Sequence, residues 1–326
     1  MKAQTARHSR LSLARRLRLQ QLMVFEKVVE AGSILAASEA LAMTQPAVSK
    51  SIHELEQQLD GTLFVRGKRG VTLTEFGNLF ERHARALLAE LRYLADDLNA
   101  SQSGIVGEVI VGTLISAAAT LLPEAIVRLR RAAPDVRISI RVGSNPMLFP
   151  ALARGELDVV VGVLPRAGLA GLRESEQARL AHVSLFAEAL NVVVGSQHAL
   201  ARGRTPPLSE LHELEWIVPS QDSVAYPSVR EFFAGAGLAL PRRLIESVSI
   251  MTNLALLAKS EMVALMPQSA AERFARSGSL VILPFEGLAP FSDVGYTVRS
   301  DRRPTAATER FLAALREAGD ETSRTR

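Results

Sequence analysis

Apolar residues in the first sixty positions recur three or four apart in three separate runs, the spacing of one helical face. In "LQQLMVFEKVVEAGS" they are Leu22, Phe25, Val28 and Val29, and Gly32 then stops the helix by adopting a left-handed conformation. Ser33 is a suitable N-cap for "ILAASEAL", whose Ala36, Ala37, Ala40 and Leu41 allow close packing. The third run, "TQPAVSKSIHELEQQL", sets Val48, Ile52, Leu55 and Leu59 on one face. Pro46 does not break it: Thr44 is the cap, and first-turn amides have no intrahelical acceptor to lose. The pattern predicts helix, tight turn, helix. "LFVRGKRGVTLT" follows, two β-prone runs around a Gly-flanked basic tip, the pattern of a two-stranded wing.

After Thr74 the period changes. Phe80, Ala84, Leu87, Leu91, Leu94 and Leu98 alternate steps of four and three, a coiled-coil seam that predicts a dimerisation helix over residues 78–103. A helix packed on its own domain is the plainer alternative. Beyond "SQSGIVG", strand-like "EVIVGT", "VRISIRV" and "LDVVVGV" alternate with helical "LLPEAIVRLRRAAP" and "PMLFPALARG". A second set follows from "LNVVVGS" to "SLVILP", and a helix "PTAATERFLAALREAG" closes it. Such alternation predicts parallel sheets in α/β subdomains.

Composition narrows the class. The chain has 326 residues, 48% hydrophobic and 22% charged, which predicts a soluble protein of two or three domains. No apolar run approaches the ~18 residues of a membrane span. No cysteine is present, which excludes disulfides, thiol catalysis and Cys-ligated metals, and a cytoplasmic location fits best. The first nineteen residues carry Arg7, Arg10, Arg15, Arg16 and Arg18 without a following apolar segment. They read as a disordered basic arm, with mitochondrial targeting the open alternative. Residues 1–74 hold eleven Lys or Arg against six acids, so the whole excess of positive charge lies in the first quarter of the chain. A polyanion is the implied partner of that segment, a solvated basic face the plainer reading.

The second helix of such a unit can lie in the major groove of double-stranded DNA. With its apolar face inward, it shows Gln45, Pro46, Ser49, Lys50 and His53 outward, groups able to reach base edges and phosphates. Arg66, Lys68 and Arg69 on the wing suit a phosphate backbone. Ser33 and Thr44, at the two helix starts, complete the candidate set. Catalysis finds no support. The chain shows no dinucleotide fingerprint, Walker motif or G-x-S-x-G elbow, and His182, His198 and His212 lack metal-like spacing. No enzyme, cofactor or metal is expected.

The stretch "AASEALAMTQPAVSKSIHELEQQLDGTLFVRGKRGVTLTEFG" resembles the N-terminal domain of LysR-type transcriptional regulators. The paired alanines, T-Q-P-A-V-S, the L-E pair, L-F-x-R and L-T-x-x-G stand in order over residues 20–77, and a looser likeness runs to about residue 316. The resemblance implies an α+β multidomain chain: a winged helix-turn-helix over 20–77, a linker helix over 78–103, a two-lobed α/β effector domain over 104–318 akin to periplasmic binding proteins, and a tail over 319–326. It implies an operator, a small-molecule effector, a homodimer or homotetramer and RNA polymerase as partners, with no membrane. The effector expected is a small carboxylate, an aromatic acid or a sugar-derived metabolite. Its cleft residues carry over as Thr113, Ser116, Ser144, Asn145, Ser220 and Gln221, with Thr252 and Asn253 aligned more loosely. Hydroxyls and amides at helix starts suit an anion, although ordinary N-capping explains any one of them. Two departures stand out: Asp60-Gly61 where the family has glycine directly after the leucine, and "KSEMVALMP" where it has Gly-x-Gly. A transport-type solute-binding protein is the rival reading for residues 104–318 taken alone.

Overall fold

The computed structural model describes residues 9–67, 70–103, 106–114, 120–165, 172–285 and 288–324. The chain falls into two compact units, residues 1–95 with 154–156 and residues 96–153 with 157–326.

The first unit holds α1 (Arg10–Arg16), α2 (Leu19–Ala31), α3 (Ile34–Ala40), α4 (Gln45–Leu59), β1 (Phe64–Gly67), β2 (Gly70–Leu73) and most of α5 (Glu75–Ser103). α2 ends at Gly32, whose φ of 62° is the left-handed cap that glycine takes without a Cβ clash. α4 starts at Thr44, whose hydroxyl accepts the Ala47 N–H at 3.4 Å, with proline in the first turn. Val48, Ile52, Leu55 and Leu59 are buried, and they share one core with Leu22, Phe25, Val28, Ala37 and Leu63.

The polar motif residues of this unit join elements. Glu56 Oε1 accepts the Leu63 and Phe64 N–H groups at 2.8 and 3.3 Å, so α4 anchors the start of the wing. Thr74 accepts the Gly77 N–H at 2.8 Å and donates to Thr62 O at 2.6 Å, which caps α5 and closes the wing. β1 and β2 pair antiparallel, with Arg66 opposite Val71. Val71 N–H donates to Gly32 O at 2.9 Å, and a Cβ on Gly70 (φ +129°) would lie 2.2 Å from that oxygen. Glycine is therefore required where the wing meets the end of α2.

Several expectations need correction here. Residues 10–16 of the supposed arm are helical, capped by Ser9, and Leu13 and Leu17 pack on the core. The tail is helical through Arg324, with Gly319 buried. In α3 only Ala37 of the three alanines is buried, and Ser33 sits at the N-cap without a side-chain capping bond. The seam divides. Phe76, Phe80, Ala84 and Leu88 recur every four residues and pack on the unit's own core, Phe80 against Phe25 at 5.0 Å. Phe80 and Ala84 therefore belong to that core, whereas Leu87, Leu91, Leu94 and Leu98, mostly further along the same face of α5, are 36–54% exposed.

The second unit has two lobes. The first contains β3 (Gly107–Thr113), α6 (Leu121–Ala132), β4 (Val136–Val142), α7 (Asn145–Ala153), β5 (Val159–Val163) and β6 (Leu180–Glu188). The chain crosses into β7 (Leu190–Gly195), β8 (Trp216–Val218), α8 (Tyr226–Gly235), β9 (Leu244–Glu246), α9 (Ile250–Leu257), β10 (Val263–Pro267), α10 (Gln268–Arg276) and β11 (Leu280–Leu283). It returns through β12 (Ser292–Arg299) and ends in α11 (Ala306–Arg324).

The strand orders are β4-β3-β5-β12-β6 and β11-β7-β10-β8-β9. Neither sheet is purely parallel: β12 runs antiparallel to β5 and β6, and β7 antiparallel to β10 and β11. The two crossings impose this, because each returning strand enters its sheet in the opposite sense. At the first crossing buried Glu188 accepts both the Ser269 N–H (3.0 Å) and its hydroxyl (2.6 Å), tying the start of α10 to the hinge. The central strands are valine-rich and buried on both faces, as strands between helical layers must be.

Both sequence departures settle locally. Asp60 itself takes the left-handed cap of α4, φ 48°. At the second, the Ser260 hydroxyl donates to Leu256 O at 2.7 Å and closes the corner after α9.

Candidate functional site

α4 has two chemically distinct sides. Its apolar residues are fully inward, while Gln45, Pro46, Lys50 and His53 are exposed and Ser49 is half-buried between them. Lys50 Nζ lies 3.8 Å from Glu54, with the lysine side chain 78% exposed, so its charge is available to solvent. His53 Nε2 meets Gln57 Nε2 at 3.0 Å one turn on. Thr44 is exposed but uses its oxygen as the helix cap, and Ser33 is half-buried at the start of α3. Arg66 is exposed on β1. Lys68 and Arg69 lie outside the described residues. The helix-turn-helix thus presents an exposed polar face on α4, and the wing carries an exposed arginine.

The described effector candidates, from both lobes, fall at or just beyond the carboxyl ends of parallel strands. Thr113 ends β3, Ser144 and Asn145 follow β4, Ser220 and Gln221 follow β8, and Thr252 and Asn253 open α9 after β9. Carboxyl ends are where open α/β sheets hold ligands. Their availability differs. Thr113 is completely buried, and its hydroxyl donates to Leu114 O at 3.2 Å. Ser220 donates to Asp222 at 2.6 Å, Gln221 Nε2 donates to Glu246 at 2.9 Å, and Thr252 shares a hydroxyl bond with Ser249. Ser144 is exposed. Asn145 and Asn253 each bury a carbonyl oxygen that has no hydrogen-bond partner among the described residues. Asn253 turns inward with Ile250 and Leu257. Ser116 lies outside the described residues.

Sequence reasoning missed the acids Asp222 and Glu246, one beside Ser220 in the loop after β8 and the other brought to Gln221 by a separate strand. It also missed two recesses. One of about 250 Å³ is lined by Leu164, Pro165, His182, Ser292 and Asp293. There the His182 ring meets Thr297 Oγ1 at 2.7 Å, and desolvation holds its pKa below the usual histidine value. The other, of about 460 Å³, lies among α6, α10 and α11 and includes Glu124, Glu272, Arg273 and Glu321. Neither is lined by an expected effector residue. Among the described residues no group of three His, Asp or Glu is placed to hold a metal ion, and no helix is long and apolar enough to cross a membrane.

A winged helix-turn-helix followed by a long helix and a two-lobed α/β domain defines a DNA-binding regulator with a ligand-binding domain. Comparison with known proteins is specific. Residues 19–78 match the model of bacterial regulatory helix-turn-helix proteins of the lysR family, and residues 102–320 match the LysR substrate binding domain. The HTH-type transcriptional regulator GbpR of Azospirillum brasilense is 32% identical over 309 residues, spanning 94% of this chain and 88% of that protein. The regulator PcaQ of Agrobacterium fabrum is 31% identical over 307 residues, 94% of this chain and 96% of its own length. In fold, the crystal structure of CbnR, a LysR family transcriptional regulator, matches with a TM-score of 0.66 at 21% identity, over 93% of this chain and 99% of that one. A full-length OxyR variant from Pseudomonas aeruginosa matches at 0.67 and 23%, over 92% and 97%. This chain belongs to the LysR family of transcriptional regulators.

Proposed function

We propose that the protein reads a double-stranded operator through Gln45, Pro46, Ser49, Lys50 and His53 of α4, while Arg66 holds the phosphate backbone. The observation that carries this reading is the division of α4 into a buried apolar side and an exposed polar one with Pro46 at its first turn. Base edges are then read by the amide and hydroxyl, and phosphates by the cations. The CbnR structure in complex with its target DNA, a fold match with a TM-score of 0.65 at 22% identity, supports DNA as the partner of this fold. Pairing proceeds through Leu87, Leu91, Leu94 and Leu98, whose exposed stripe needs a second helix to cover it. Pairs of effector domains then complete a tetramer.

The effector is a small polar metabolite held between the lobes by Ser144, Asn145 and the rim of β8 and β9. Asp222 and Glu246 place two carboxylates on that rim, and the free carbonyl of Asn145 calls for a donor. Both favour a hydroxyl-rich, sugar-derived ligand over a simple carboxylate or an aromatic acid. Ligand shifts the population of lobe arrangements, and with it DNA bending and contact with RNA polymerase. Footprinting on the DNA of its own genome tests the operator claim: one protected class of sites with salt-sensitive affinity supports it, and uniform binding to all DNA overturns it.

A further inference from the structure

The cations of the DNA-binding unit are unevenly placed. Lys27 is paired with Glu30 at 2.6 Å, and Lys50 lies near Glu54. Of the other described Lys and Arg residues in 9–67, only Arg66 belongs to the wing. The remaining four, Arg10, Arg15, Arg16 and Arg18, lie on α1 and the turn after it. All four are exposed, and none has an ion pair among the described residues. The first acid of the chain is Glu26, so nothing local neutralises them.

α1 is nevertheless held in place. A seven-residue helix is not stable alone in water. Leu13 and Leu17, one helical turn apart, seat it on the core that also carries α4 and the wing. Its charge therefore moves as one body with the base-reading helix. α1 also precedes residues 19–78, the stretch matched by the family's DNA-binding model, so it is an addition to that unit.

We infer that α1 is a second phosphate-contacting element, which lengthens the electrostatic footprint on duplex DNA beyond that of α4 and the wing. This rests on the reading of the chain as a DNA-binding regulator. Four exposed guanidiniums without an ion pair among the described residues fit a polyanion, and duplex DNA is the polyanion that the proposed function brings to the same unit. Such contacts release condensed counterions without reading sequence.

The test compares full-length protein with a variant carrying Arg10→Gln, Arg15→Gln, Arg16→Gln and Arg18→Gln, on a random-sequence duplex and on the footprinted operator. Each lost phosphate contact lowers the slope of log K against log salt by about 0.9, so a drop of about 2 to 4 is expected on both DNAs. The footprint shortens at an edge, and the ratio of specific to nonspecific affinity stays the same. Lysine at the same four positions restores the slope, because charge and not shape is responsible. An unchanged slope in the folded glutamine variant overturns the inference, even if transcription falls, since α1 would then serve a protein partner. Failure of lysine to restore the slope overturns it as well. Absence of salt-sensitive binding by the unmutated protein overturns the DNA-binding reading itself, an outcome distinguishable because it precedes any substitution.

Discussion

Gly70 shows how much one atom decides. The wing is fixed to α2 by the Val71 bond to Gly32 O, and a methyl group on Gly70 would lie 2.2 Å from that oxygen at a φ of +129°. Gly70→Ala should therefore cost at least ~1–3 kcal/mol through backbone strain alone. A lowered melting temperature, with weaker binding to all DNA, checks it. At the effector region Ser144→Ala and Asn145→Ala should each raise the concentration of a sugar-derived inducer needed for half response about tenfold, for a lost bond of ~1.4 kcal/mol. Operator affinity without ligand should stay unchanged. An unshifted titration with a lowered melting point would mean that these residues only cap α7. The core side of α4 was legible residue by residue, because helical spacing is local. The commitments of Thr113, Ser220 and Gln221 were not: Leu114 O and Asp222 are one and two residues away but depend on loop conformation, and Glu246 reaches Gln221 from a separate strand only once the sheet forms.

At the scale of elements, two apolar rows share α5. Phe76, Phe80, Ala84 and Leu88 repeat every four residues and cover the helix-turn-helix core, whereas Leu87, Leu91, Leu94 and Leu98 continue the heptad along the helix and are exposed. From sequence the two sets merge, because at about 100° per residue they fall on one helical face and differ in their place along the axis. Leu91→Asp should abolish the dimer and operator binding together, because an unpaired carboxylate buried in the seam is costly. Sedimentation equilibrium reads the first and gel shift the second; an intact dimer would place pairing elsewhere. β6 and α10 escaped sequence reading for different reasons. β6 is an outer strand whose polar His182 and Ser184 alternate with half-buried apolar residues and leave no continuous apolar run, and α10, "QSAAERFAR", seats three small residues against the sheet in place of a conspicuous apolar face. The helix of residues 10–16 was hidden by its own charge, which outweighed Leu13 and Leu17 in a compositional reading.

Over the whole molecule, the uneven charge and the two kinds of repeat divide the labour. The basic first quarter is one helical unit with a wing, and the near-neutral remainder is two α/β lobes joined by two crossings. The two lobes were legible as a consequence of the family resemblance, but the antiparallel sense of β7 and β12 became visible only in the assembled sheets. The central claim is that α4 reads bases while the wing holds the backbone. Its most direct test measures operator and random-duplex affinity for Gln45→Ala and Arg66→Ala across a range of salt. The account predicts that Gln45→Ala loses ~1–3 kcal/mol on the operator and almost nothing on random DNA. It predicts that Arg66→Ala weakens both alike and flattens the salt dependence by about one unit. Equal losses on both DNAs for both variants would contradict it.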